Sequence, residues 1–260
     1  MILIANAKSG CYDVARGWDP ESVKPVPPVP GRSDEEGYED DSQSYTRYAQ
    51  TLAAHSREVR DRMGEIVDAL TGLGIDLHAY REDLLQTALH HDWGKAHNVF
   101  QATVNPQSDA QLLAKSKKKG THKRKHFRHE LASALALLQT GASDLSVYLA
   151  AAHHGKVRLS IRALPGERKP EQLGVKFARG IHDGDALPLA QLDGISKEAL
   201  TLDLEPMLLG LSESAARSWT ERMLHLRDLP GLGIFRLAYL EALIVAADCG
   251  ASGEPKEVLP

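Results

Sequence analysis

An apolar stripe of helical period that also carries histidine narrows the possible folds most. From about Ser44, apolar residues fall at Tyr48, Leu52, Val59, Met63, Ile66 and Leu70, in three- and four-residue steps, until Gly72 and Gly74 stop the pattern. His55 lies on that stripe, so an imidazole is assigned to the core, where both its nitrogens need partners. A second helix is predicted from about Glu82 to Asp92, closed by Trp93-Gly94, where glycine suits a left-handed residue just past the helix end. Phe127, Leu131, Leu135 and Leu138 mark a third helix, with His129 near its start. Leu145 to His154, closed by Gly155, marks a fourth. Two more follow, roughly Ser212 to Arg227 and Leu232 to Asp248. The last presents Leu237, Leu240, Ile244 and Val245 on one face, with Asp248 one turn beyond Ile244.

Elsewhere the helical period fails. Residues 1 to 4 (MILI) have the composition of a short strand, and residues 5 to 42 are rich in Gly, Pro and acid, as a linker is. Residues 156 to 205 contain Pro165, Pro170 and Pro188 with several glycines, and VRLSIRAL leaves room for a small hairpin. The expected fold is all-α: a helical bundle with a long irregular insertion and a small β-hairpin. The expected organisation is an N-terminal extension over 1–42, one domain over 43–252 and a C-terminal tail over 253–260.

No apolar run reaches the roughly 18 residues that a membrane span needs, and MILIANAKSG lacks the basic start of a secretory signal. A cytoplasmic protein without a membrane partner is therefore expected. Cys11 and Cys249 are too few for a disulfide framework or a thiolate zinc site, so a metal would be held by nitrogen and oxygen, for which twelve histidines provide. The net charge of -4 averages two opposed blocks: Lys115 to Arg128 holds eight Lys and Arg and no acid, and Asp34 to Asp41 holds six acids and no base. The acidic block is that of a solvated linker. The basic one enters a histidine-bearing helix, which places Lys117, Lys118, Lys119, Lys123 and Arg124 as candidates for tracking a nucleic-acid backbone.

Adjacent helical residues leave the axis about 100° apart, so His91-Asp92 and His153-His154 can each straddle a site from a helix end. One buried histidine is usually structural. Two such pairs at helix ends, with His129 at a helix start and His55 and Asp248 on apolar faces, fit a metal centre better than five independent accidents.

The same residues, in this order, resemble the HD phosphohydrolase superfamily, specifically the HD nuclease domain of the CRISPR type I nuclease-helicase. The resemblance rests on AAHSREV around His55, LHHDWGKAHNVFQ around His91 to Lys95, FRHELASALALL around His129, AAHHGK around His153 and His154, and IVAADCGAS around Asp248. It covers roughly residues 45 to 160 and 235 to 252. It implies an HD-domain bundle and a metal-dependent DNA nuclease, preferring single-stranded DNA, that acts in antiviral interference by a two-metal hydroxide mechanism. His55, His91, Asp92 and Asp248 would hold one ion and His129, His153 and His154 the second, with Asp92 bridging and Lys95 approaching the scissile phosphate. His90, His97, His122, His126, His182 and His225 lie outside that pattern.

A nitrogen-rich set suits manganese, iron, cobalt or nickel better than magnesium. The implied partners are single-stranded DNA, an RNA-guided surveillance complex and a helicase module in cis or in trans, since no GxxxxGK[ST] loop occurs here. IANAKSGCYDVARGWDP resembles the connector of a variant in which the HD domain follows the helicase. Two rivals share the residues: an HD enzyme for nucleotides or cyclic dinucleotides, and a non-catalytic nucleic-acid-binding HD module.

Overall fold

In the computed structural model the described residues are 10–13, 15–25, 48–105, 111–117, 124–210 and 216–253. The chain divides into two compact units, 1–39 and 40–260. In the first, Tyr12–Asp13 pairs antiparallel with Gly17–Trp18, and Lys24 lies 3.0 Å from the Asp13 carboxylate. MILI lies outside the described residues.

The second unit is a helical bundle, as expected. Its described α-helices are α1 (Leu52–Gly72), α2 (Arg81–His90), α3 (Asn98–Val104), α4 (His129–Gln139), α5 (Asp144–Ala152), α6 (Trp219–Asp228) and α7 (Gly233–Gly253). α1 packs on α2 and α7, and α4 packs on α5 and on a 3-10 turn, Trp93–Ala96, that follows α2. The stripe residues Leu52, Val59 and Met63, with Val67 beside the expected Ile66, are fully buried and meet Leu84, Leu131, Leu135, Leu149, Leu240 and Ile244 in one core, against which Ile66 and Leu70 pack partly buried. Each such side chain stabilises by about 1.5–3 kcal/mol on burial. No single helix among the described residues is long and apolar enough to cross a membrane.

Several boundaries differ from expectation. α1 starts at Leu52 rather than near Ser44, because the Thr51 hydroxyl accepts from the Ala54 N–H at 3.1 Å and caps the helix. Gln50–Thr51 before it pairs antiparallel with Leu113–Lys115, and the Tyr48 hydroxyl donates to the Ser252 carbonyl. α6 starts at Trp219, capped by Ser218, rather than at Ser212. α7 runs on to Gly253, so Asp248 lies inside the helix and not at its end. α3 was not anticipated; at seven residues it is too short to display a period.

Gly94 corrects the expected left-handed cap, since it is not among the positive-φ residues. Glycine is needed there for space: a Cβ would lie 2.1 Å from the His129 carbonyl oxygen and 2.8 Å from Ser133 N. Gly94 N–H instead donates to Ser133 Oγ at 2.7 Å, which clamps the 3-10 turn on α4.

No α-helix forms over residues 156–205, as expected, but VRLSIRAL is not a hairpin. Val157 and Ile161 are both buried, the three residues between them bulge outward, and the Arg158 carbonyl is taken by the Trp219 indole N–H at 2.7 Å, leaving no ladder. The strands come later. Phe177–Ala178 pairs with Ile181–His182, and Ala186–Leu187 pairs with Leu200–Thr201 around an inner pair, Ala190–Leu192 with Ile195–Lys197. Pro188 sits where the two ladders separate, as a residue without an N–H must. Leu187, Ala190 and Leu192 are buried, and the inner hairpin packs on α1.

Candidate metal centre

Six elements deliver the expected ligands to one place. The buried face of α1 presents His55, and α7 presents Asp248 one turn after Ile244 and two after Leu240. His91 caps the end of α2, and Asp92 caps the start of the 3-10 turn, so the adjacent pair spans a junction. His129 is the first residue of α4, His153 caps α5, and His154 follows it. All are buried except His154, which is partly so.

Asp92 lies at the middle and its two oxygens face different neighbours. Oδ2 is 3.3 Å from His55 Nε2, 3.5 Å from His91 Nε2 and 2.9 Å from Lys95 Nζ. Oδ1 is 3.1 Å from His129 Nε2 and 4.0 Å from His153 Nε2. Asp248 Oδ1 is 3.1 Å from His55 Nε2 and 3.9 Å from His91 Nε2, and His154 Nε2 is 3.2 Å from His129 Nε2. Two groups thus have ligand atoms within 4.8 Å of one another: His55, His91 and Asp92, and His129, His153 and His154. Cis ligands on bonds of about 2.1 Å lie roughly 3 Å apart, so these spacings fit cations at both groups.

The tautomers fit too. His91 Nδ1 lies 2.8 Å from the Ala88 carbonyl and His153 Nδ1 lies 2.7 Å from the Ala150 carbonyl. A carbonyl only accepts, so each Nδ1 carries the hydrogen and each Nε2 offers a lone pair to the centre. Those two Nε2 atoms are buried without a hydrogen bond, which a cation would remedy.

Protonation states agree. Burial pushes His91 down to about 3, against the opposing pull of Asp92 and Asp248. Burial, helped by His129, also lowers His153. Burial opposes ionisation of Asp92, but Lys95, His91, His129 and His55 outweigh it and hold the carboxyl well below the usual range. Burial likewise opposes ionisation of Asp248, and Lys115, His55 and His91 outweigh it. Neutral imidazoles and ionised carboxylates are the forms that bind a metal.

The expected residues outside the ligand set separate. Lys95 joins the centre. Lys117 is exposed, and Lys118, Lys119 and Lys123 lie outside the described residues. Arg124 is drawn away from any strand: it pairs with Asp185 and donates to the Gly180 carbonyl at 3.2 Å. His97, set aside in the sequence, joins the same latch. Its Nδ1 accepts from Val99 N–H, which leaves the Nε2 hydrogen facing Asp185 Oδ2 at 3.5 Å. His90 faces elsewhere, with Nδ1 2.7 Å from the Gln86 carbonyl and the ring against Trp93, and burial pushes it down to about 4.

Lys115 was missed. It counted as one charge of the basic run, yet it is fully buried with Nζ 3.9 Å from Asp248 Oδ1. The signal available was the apolar Leu112-Leu113-Ala114 just before it, which marks a strand leaving the basic loop.

A family profile described as Cas3, HD domain matches residues 41–229, and the chain belongs to that family. No curated protein and no solved structure matches it. Membership gives the chain a metal-dependent nuclease role in a CRISPR type I system that includes a helicase. The matched range ends before α7, so Asp248 lies outside it and rests on the geometry and on the resemblance around IVAADCGAS.

Proposed function

We propose that the chain is a deoxyribonuclease that hydrolyses phosphodiester bonds, preferentially in single-stranded DNA, with two divalent transition-metal ions, during CRISPR type I interference. The observation that carries this is the division of Asp92, with Oδ2 toward His55 and His91 and Oδ1 toward His129 and His153. A carboxylate placed in this way could serve an ion on each side. His55, His91 and Asp248 would complete one ion's shell, and His129, His153 and His154 the other's.

Bound there, two divalent ions would supply an activated water and positive charge for the scissile phosphate and the leaving oxygen. The residues supply what surrounds that chemistry. Ala88 and Ala150 carbonyls fix the His91 and His153 rings, Asp92 stays ionised, and Lys95 beside it offers a point charge to a phosphate oxygen. The strand would be supplied by a helicase module in cis or in trans after an RNA-guided complex opens the target, in the cytoplasm.

The test is digestion of circular single-stranded DNA, beside duplex DNA and RNA, after chelation and reloading with manganese, iron, cobalt or nickel, using the parent and Asp92→Ala. The expected result is linearisation and degradation of the circle by the reloaded parent, which also marks endonuclease action, with loss of at least about 100-fold in the variant. Hydrolysis of nucleotides or cyclic dinucleotides with intact DNA would move the substrate to small molecules. DNA binding without cleavage by the loaded parent would make the domain a binding module.

A further inference from the structure

Next to the imidazole-lined half of the centre lies a charged cluster that the ligand set does not use. The chain entering α4 and the turn at residues 178–181 are held together by backbone. Arg128 N–H donates to the Arg179 carbonyl at 2.9 Å, and a Cβ on Gly180 would come within 2.4 Å of Phe127 N and Cα. Arg179 has φ +53°, a conformation that side-chain-bearing residues seldom adopt, and Glu167 Oε1 holds it by accepting the Arg179 N–H at 2.9 Å. Arg128 and Arg179 are thereby set side by side, one residue from His129.

We propose that Arg128 and Arg179 form a binding site for a backbone phosphate of the nucleic-acid strand, on the His129 side of the centre. This rests on the nuclease function proposed above and adds the direction in which the strand leaves it. Arg128 is about nine-tenths buried, and neither guanidinium makes a hydrogen bond among the described residues; each keeps a buried Nε–H without a hydrogen-bond partner. Burying such groups unsatisfied is unfavourable, and native structures do so where something else completes them.

The neighbouring acids do not complete them. Glu130 Oε1 is 4.0 Å from Arg128 Nε, while its Oε2 is 3.8 Å from His129 Nδ1, so Glu130 sits between the ligand and the arginine. Glu167 Oε2 makes no hydrogen bond. The arginines also oppose each other: burial, then Arg128 and Arg162, depress the Arg179 pKa, and the opposite pull of Glu167 and Glu130 does not cancel them. Two guanidinium forks held together against their own repulsion match the oxygens of a phosphodiester, and the start of α4 adds positive potential. Arg124, by contrast, is already spent on Asp185.

The test compares the parent with Arg179→Asn, because asparagine tolerates the left-handed turn while removing the guanidinium and most of its stem, and with Arg179→Lys, which keeps the stem and a charge. Binding of the chelated, uncleaving protein to a fluorescent oligothymidylate is measured across salt concentrations, beside metal content after reloading and thermal midpoint. Arg179→Asn is expected to weaken binding roughly 3- to 10-fold at low salt and to flatten the log K against log salt slope by about 0.7, one single-strand phosphate contact. Metal content and midpoint should stay those of the parent, kcat should hold while KM rises, and Arg179→Lys should regain most of the affinity. Equal affinity and slope in Arg179→Asn and parent would overturn the site while leaving the nuclease function standing. Lost metal content in Arg179→Asn would overturn it in favour of a structural arginine. Failure of the parent to bind or cleave the oligonucleotide even after metal reloading would overturn the nuclease function, and this site with it.

Discussion

The two halves of the metal centre are built differently. The half made by His55, His91 and Asp248 is closed, and its carboxylates face two buried ammonium groups, Lys95 beside Asp92 and Lys115 beside Asp248. The half made by His129, His153 and His154 has one carboxylate oxygen, Asp92 Oδ1, among three imidazoles, and His154 reaches toward solvent. The first half is charge-balanced without an ion and is tied into the packing of α1 and α7. The second is partly exposed at His154, and Arg128 immediately precedes its His129 in the chain. One half therefore belongs to the fold as much as to any chemistry, while the other, on the proposed function, would be the one to exchange an ion and meet substrate.

Variants should break that symmetry in stability before activity. Asp248→Asn withdraws a carboxylate from the buried Lys115 and should cost on the order of 3–5 kcal/mol, read as a lowered denaturant midpoint. His154→Gln, on the open side, should change stability by less than about 1 kcal/mol while weakening one of two ions at least about 10-fold in calorimetric titration. Equal destabilisation by both variants would dissolve the distinction.

Gly94→Ala acts between the halves. Its Cβ would strike the His129 carbonyl, so it should cost about 1–3 kcal/mol by chemical denaturation and displace Lys95, one residue on, from Asp92.

Acid tests what the halves share, since each contains a fully buried imidazole of depressed pKa. Unfolded histidine binds a proton below about pH 6.5, whereas folded His91 resists until about 3 and His153 is shifted the same way. The unfolded chain therefore binds more protons over that interval, and stability falls as pH drops through it. Ion-free protein should lose on the order of 2 kcal/mol through His91 between pH 6.5 and 5, with a further loss of the same sign through His153, measured as urea midpoints. A flat profile over that interval would mean that the two rings are hydrated.

Much of this was legible because ligands have sequence signatures that burial reinforces. His55 and Asp248 sit on apolar faces, and His91-Asp92 and His153-His154 sit at helix ends, where side chains can turn inward from two directions. The distinction between halves was not legible. Lys115 looked like one more cation of a solvated run, because a strand of three residues leaves almost no pattern. Arg124 looked free because its partner, Asp185, lies sixty-one residues away in the insertion. Gly94 announced a backbone need but not its kind, since close approach to α4 is a tertiary fact. The hairpins of residues 177–201 are built from strands of two or three residues, below the length at which alternation can be read.

The central claim is that Asp92 bridges two ions, and electron paramagnetic resonance during manganese titration tests it most directly. At two equivalents the parent should give the spectrum of a spin-coupled pair, and Asp92→Asn should give only isolated ions. Isolated-ion signals from the parent at full occupancy would contradict the bridge.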